Sequence, residues 1–260
     1  MYQRIFLAAV AAVLISGGAY AADPAHAPAP AHGGGDHKPH WGYIGEAGPA
    51  NWGDLSGDYH ACKAGQSQSP IDIGNAPHQD AKPLAISYKP TRMRVVNNGH
   101  TIQANYDAGS TLTLDGKQFN LLQFHFHSPS EHTREKSAFP MEVHLVHKAE
   151  DGTLAVVGVF IKQGKENPFL AAIWKNMPTE VDHEQGEGNL NVADFLPSNK
   201  AFWNYSGSLT TPPCSEGVNW FVMDQPVEAS EAQIKKFLGL VHENARPVQP
   251  LHDRKLIHRK

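Results

Sequence analysis

The chain has 260 residues and a net charge of −4, with 22 Lys and Arg against 26 Asp and Glu and 16 His counted as neutral. No basic run or patch stands out, which argues against nucleic acid as a partner. No apolar stretch approaches the ~18 residues of a membrane span.

Residues 1–21 read as an export signal. Arg4 supplies the positive start, Ile5 to Ile15 is unbroken apolar, and Ala19-Tyr20-Ala21 is a small-x-small cleavage site that makes Ala22 the mature start. The expected location is the periplasm or, failing retention there, the medium. Residues 22–40 are rich in Pro, Ala and Gly, carry His26, His32, His37 and His40, and have no apolar periodicity. They read as a disordered linker, either a plain solvated tail or a zinc-gathering one.

Residues 41–260 contain no linker or repeat and read as one domain, mainly β with a few short helices. Short alternating segments predict strands over Arg92 to Tyr106, Ser110 to Leu114, Asn120 to His127, Met141 to Lys148, Thr153 to Gln163 and Val218 to Met223. Turns are expected at Asn98-Gly99 and Asp151-Gly152. Asn167-Pro168 predicts a helix start running to Trp174, and the capping box Ser230-Glu231-Ala232-Gln233 opens a second helix ending near Gly239. Cys62 and Cys214, an even pair in an exported chain, read as a disulfide, with two unrelated buried thiols as the alternative.

The most informative run is Gln123-Phe124-His125-Phe126-His127. On a strand, Gln123, His125 and His127 share one face and the two Phe the other, with about 7 Å between the two His positions. Glu142-Val143-His144-Leu145-Val146-His147 alternates in the same way and offers a third imidazole. Three neutral imidazoles with room for a water describe a catalytic zinc site rather than a structural one. Gln123 and Glu142 each precede a His by two residues on its own face, where metal-bound imidazoles find acceptors for their second nitrogen.

Together these motifs resemble the α-class carbonic anhydrases, of the bacterial exported type, over Trp41 to Leu251. The resemblance rests on Gln66-Ser67-Gln68-Ser69-Pro70-Ile71-Asp72-Ile73, Asn97-Asn98-Gly99-His100, the two His-bearing strands, Ser130-Glu131-His132-Thr133, Ser208-Leu209-Thr210-Thr211-Pro212-Pro213 and Asn244-Ala245-Arg246-Pro247-Val248-Gln249-Pro250-Leu251. It implies a mostly antiparallel twisted sheet of about ten strands with one zinc ion at the base of a conical cleft. It also implies reversible hydration of carbon dioxide to bicarbonate and a proton, by hydroxide formed at the metal. Weak esterase activity and binding of sulfonamides and anions are expected with it.

Residue by residue, the resemblance makes His125, His127 and His144 the ligands. Gln123, Glu142 and the Asn244 carbonyl orient them. Thr210 aims the hydroxide by donating to Glu131, and His100 carries the proton out through water ordered by Tyr43, Asn98 and Gln103. The family often has Asn where this chain has Gln103. Val146, Val156, Leu209, Thr211, Val218 and Trp220 form the substrate wall. His132, His147, Ser67 and Arg246 are assigned to structure, Cys62–Cys214 to the disulfide, and Ser69-Pro70 and Pro212-Pro213 to cis bonds. A homodimer is compatible with the resemblance, and no sequence feature decides it. The competing readings are a non-catalytic binding module on the same fold and a periplasmic zinc buffer.

Overall fold

The computed structural model describes residues 40–74, 76–80 and 84–259. The export signal, and the linker up to residue 39, lie outside them. Ten strands form the spine of one large sheet. In chain order they are β1 (His78–Gln79), β2 (Val95–Asn97), β3 (Ile102–Asn105), β4 (Lys117–His127), β5 (Met141–Ala149), β6 (Leu154–Gln163), β7 (His183–Gln185), β8 (Phe202–Ser208), β9 (Glu216–Met223) and β10 (Ile257–Arg259). Their spatial order is β7-β2-β3-β4-β5-β6-β9-β8-β10-β1, and three further short strands pair off this path. All neighbours on the path are antiparallel except β6 with β9 and β10 with β1.

Alternation in β4 decides which face is which. Phe124 and Phe126 are fully buried on the side covered by α3 (Pro168–Lys175) and α4 (Glu231–Val241). There Phe126 meets Trp174 edge-on at 4.8 Å and Phe237 at 6.2 Å. The opposite face carries Gln123, His125 and His127. Two small helices, α1 (Trp52–Leu55) and α2 (Ala61–Ala64), lie at the start of the domain.

Both predicted helix starts hold. Asn167 accepts from the N–H groups of Phe169 and Leu170, and Ser230 and Gln233 form the reciprocal capping box. The end of α4 differs from the expectation, because Gly239 stays helical and the helix runs on to Val241, with His242 leaving at φ 62°. The stretch Arg92 to Tyr106 is not one strand. Gly99, at φ +82°, turns the chain back so that β2 and β3 pair as a hairpin. The strands β1, β7, β8 and β10 were not expected. In β8, Phe202, Trp203 and Tyr205 are all buried, so the strand shows no clean alternation for a sequence reading to detect. No helix among the described residues is long and apolar enough to cross a membrane.

Cys62 and Cys214 form a disulfide across a separation of 152 residues. It sits in a cluster with Trp52 and Tyr59 that packs against Trp41 and Tyr43. Closing so long a loop restricts the unfolded chain by up to about 5 kcal/mol in the chain-entropy model, with measured effects often smaller. Replacing both cysteines by Ala should therefore lower the urea midpoint by an amount equivalent to a few kcal/mol, and an unchanged midpoint would refute this.

Candidate metal centre and cleft

Three imidazoles meet on the face of the sheet opposite α3 and α4. His125 on β4 lies directly across from His144 on β5, and His127 stands two residues further along β4. Their ring centroids are 5.0 Å (His125–His127), 5.4 Å (His125–His144) and 4.5 Å (His127–His144) apart. One nitrogen from each falls within 4.8 Å of the others.

The second nitrogen of each ring faces an acceptor. His125 Nδ1 lies 2.9 Å from Gln123 Oε1, and His127 Nδ1 lies 2.8 Å from the Asn244 carbonyl. His144 Nε2 lies 3.0 Å from Glu142 Oε1, in ion-pair contact but off the axis of a hydrogen bond. Gly158, opposite His144 on β6, makes room for that carboxylate, since a Cβ there would come within 2.9 Å of Glu142 Oε1. Burial, followed by the neighbouring imidazoles, holds the pKa of His125 well below its ordinary value. Burial also lowers His127, against the opposing pull of Glu131. Burial works against charging His144 too, but Glu142 outweighs it and raises that pKa. Glu142 itself would be raised by burial, yet His132 and His144 hold it well below the usual carboxylate range.

Glu131 accepts the Arg246 N–H on Oε1 at 2.8 Å. Its buried Oε2 has no hydrogen-bond partner and points toward His127 Nε2 at 3.6 Å and His144 Nδ1 at 3.8 Å. The bond from Thr210 to Glu131 that the resemblance implies is thus not formed here, although Thr210 is buried.

A cleft of about 140 Å³ opens over His125 and His127. His100, Tyr43, Asn98, Gln103, Gln123 and Thr211 help to line it. The remaining residues expected to form the substrate wall are not at this opening. Val156, Val218 and Trp220 are buried in an apolar cluster against which Val146 and Leu209 pack, and the Trp220 ring is 4.8 Å from that of His144. Larger hollows of about 570 and 580 Å³ lie elsewhere, but neither is lined by a histidine.

The profile of the family described as eukaryotic-type carbonic anhydrase matches residues 47–260. The chain belongs to that family, the α-class carbonic anhydrases. It is 47% identical over 224 residues to a carbonic anhydrase of Nostoc sp., covering 84% of this chain and 85% of that one. It is 45% identical over 221 residues to one of Pectobacterium carotovorum, covering 84% and 91%. The solved complex of the α-carbonic anhydrase from Thermovibrio ammonificans with the inhibitor sulfanilamide is 46% identical. It matches with a TM-score of 0.82 over 84% of this chain and 99% of that one. The chain is accordingly a lyase of the carbon dioxide-hydrating class, in a zinc-dependent family.

The residues present fit such a metal. His127 Nε2 is fully buried and has no hydrogen-bond partner, a costly arrangement for a lone imidazole. Neutral nitrogen donors also suit zinc. A second cluster, His132, Glu142 and His144, also has its ligand atoms within 4.8 Å, but both ring nitrogens of His132 are already used. His132 Nδ1 is 2.8 Å from Glu142 Oε1, and its Nε2 is 2.7 Å from the Tyr205 hydroxyl, which reaches Ser69 Oγ at 2.8 Å.

Sequence reasoning missed that chain of contacts, as well as Trp41, whose ring stacks on His100 at 3.8 Å and 5°. It also missed a third cis bond, Ser128-Pro129, beside those at Ser69-Pro70 and Pro212-Pro213. Only the pairing of Trp41 with Tyr43 near the domain start hinted at an aromatic wall. Of the residues assigned to structure, Arg246 is buried and donates to Gln68 Oε1, the Ser69 carbonyl and the Cys62 carbonyl. Burial lowers its pKa to about 10, so it stays charged at neutral pH. Ser67 is half-buried, and its N–H donates to Glu216 Oε1 at 2.7 Å.

His147 points away from the cleft. Its Nε2 meets the Tyr88 hydroxyl at 2.8 Å and its Nδ1 the Ala155 carbonyl at 3.3 Å. Burial pushes its pKa down to about 4. The unfolded chain, with an ordinary His, therefore binds this proton more readily than the folded one, and stability is lost as pH falls from about 6.5 to about 4. The full swing is worth about 3 kcal/mol for a drop of this size. His147→Gln should be less stable than the parent at pH 7, and urea melts should show that gap narrowing by about this amount at pH 4. A gap independent of pH would refute the assignment.

Proposed function

We propose that His125, His127 and His144 hold one zinc ion and that the cleft above them hydrates carbon dioxide. The observation that carries this is the buried, partnerless His127 Nε2 beside two further imidazole nitrogens. When bound, zinc would supply a positive charge that lowers the pKa of a bound water to about 7, a value that belongs to carbonic anhydrases in general and not to this structure. The chain's own groups do the rest. Gln123 Oε1 and the Asn244 carbonyl accept hydrogen bonds from the Nδ1–H groups of His125 and His127, leaving each Nε2 lone pair free. Glu142, held ionised, faces His144 Nε2 at 3.0 Å in ion-pair contact, which favours the ring proton on that side and leaves Nδ1 for the metal. Glu131 Oε2 is a buried acceptor with no donor, and the Thr210 hydroxyl is the candidate to fill it. A hydroxyl committed that way can only accept on its other side, which orients the attacking group.

His100 takes the proton to solvent. It is half-buried at the cleft wall, its ring stacked on Trp41, and burial with the neighbouring His40 lowers its pKa against Asp182. It is thus neutral and ready to accept at neutral pH, and it keeps that capacity to lower pH than an ordinary histidine. Val146, Val156, Leu209, Val218 and Trp220 supply apolar surface beneath the site for an apolar substrate, with Thr211 at the opening. Sulfonamides are expected to bind as one does to the Thermovibrio enzyme. Residues 1–21 direct export to the periplasm, a reading supported by the disulfide, a bond favoured in oxidising compartments.

Stopped-flow hydration on protein of known zinc content tests this reading. The parent should bind one zinc per chain and hydrate carbon dioxide, and His127→Ala should lose both. His100→Ala should lower kcat in weak buffer by about 100-fold while sparing kcat/KM, with imidazole buffer restoring the rate. One zinc per chain without hydration above background would sink the enzymatic site and favour a binding module. Zinc beyond one per chain that disappears on deleting residues 22–40 would favour the buffering role.

A further inference from the structure

A chain of side-chain amides runs along the cleft wall from an exposed carboxylate to the loop that carries His100. Glu184 on β7 accepts from Asn105 Nδ2 at 3.3 Å. Asn105 Oδ1 accepts from Gln103 Nε2 at 2.7 Å, and Gln103 Oε1 accepts from Asn98 Nδ2 at 3.4 Å. Asn98 Oδ1 then accepts the backbone N–H groups of His100 at 3.0 Å and Thr101 at 2.9 Å. The residues come together because β7, β2 and β3 are adjacent, with Glu184 opposite Val96 and Val96 opposite Gln103.

An amide can turn over, exchanging its donor and acceptor ends at little intrinsic cost. This chain has ends that cannot. An ionised carboxylate only accepts, and a backbone N–H only donates. With those ends fixed, one polarity satisfies every link, and turning any single amide sets two donors or two acceptors face to face. We infer that Glu184 is a positioning residue for proton export. It fixes the polarity of Asn105, Gln103 and Asn98, and so holds the His100 loop and sets which atom of Gln103 faces the cleft. This rests on the reading of His100 as proton carrier. Glu184 touches neither substrate nor metal ligand, so it should leave the hydration step alone.

The test uses the full-length zinc enzyme with Glu184→Ala, Glu184→Gln, His100→Ala and the double variant Glu184→Ala/His100→Ala. Glu184→Ala should lower kcat in weak buffer about 3- to 10-fold, the worth of one hydrogen bond, and leave kcat/KM within about two-fold. Imidazole should restore the rate. Glu184→Gln, which can still offer an oxygen to Asn105 but as an amide no longer forbids the reverse polarity, should lie between the parent and Glu184→Ala, whereas a mere effect of the carboxylate's charge would make it behave like Ala. Backbone amide exchange at His100 and Thr101 should quicken in Glu184→Ala. In the His100→Ala background the Ala substitution should have no further effect on kcat.

The proposal is overturned if His100→Ala is slow in weak buffer but Glu184→Ala is not, or if Glu184→Ala lowers kcat and kcat/KM together. Glu184→Gln matching Glu184→Ala also overturns it. If His100→Ala is itself at parental rate, the proton-carrier reading is what fails. Amide exchange then decides the relay on its own, with faster exchange in Glu184→Ala sustaining it and unchanged exchange removing it.

Discussion

The centre of this structure depends on a property of the imidazole ring. In its neutral form one nitrogen donates and the other accepts, so three histidines can turn lone pairs toward one point only if each has its proton drawn off in another direction. Burial keeps His125 and His127 neutral. The acceptors Gln123, Asn244 and Glu142 fix the direction. Removing a single acceptor frees a ring to turn and present its proton inward. Metal affinity here therefore depends on residues that need never touch the metal, an effect usually worth about 10- to 100-fold.

One of those acceptors, Asn244, ties the site to the rest of the fold through the segment that carries it. Asn244 accepts the His127 Nδ1–H on its carbonyl and the Ser128 N–H on Oδ1. Through Nδ2 it donates to the His100 and Phe126 carbonyls. Two residues later, Arg246 gives its N–H to Glu131 and its guanidinium to Gln68, Ser69 and the carbonyl of disulfide-bonded Cys62. The strand bearing the imidazoles, the loop bearing His100 and the disulfide region are thus all held by an extended stretch near the C-terminus. That stretch has no helix or strand of its own and keeps its shape through these bonds.

Sequence legibility follows from the range of each interaction. The alternation of β4 and β5, the caps of α3 and α4 and the turn at Gly99 are local and could be read from the residues. β8 could not, because Phe202 and Trp203 are buried next to each other and the strand lies inside the sheet between β9 and β10. Gln123 and Glu142 were visible as acceptors because each lies two residues from its histidine. Asn244, 117 residues from His127, and Arg246, 115 from Glu131, leave no periodic trace, and only the resemblance to known carbonic anhydrases pointed to them. Glu184 belongs to neither group. It sits on a short strand with no apolar pattern, and its part emerges only when the amide contacts are followed atom by atom.

Burial and composition alone would have picked the wrong histidines. His132 and His147 are both fully buried, and His132 even falls in a cluster dense enough for a cation. What separates them from His127 is the fate of the second nitrogen. His132 reaches Glu142 and Tyr205, and His147 reaches Ala155 and Tyr88, so both rings are satisfied at both ends and gain nothing from an ion. His127 is satisfied at one end only. An unpaired buried nitrogen costs the fold free energy, and that cost is tolerable where a ligand removes it. This is why a partnerless imidazole nitrogen beside two others, rather than the largest hollow or burial alone, marks where the chemistry belongs.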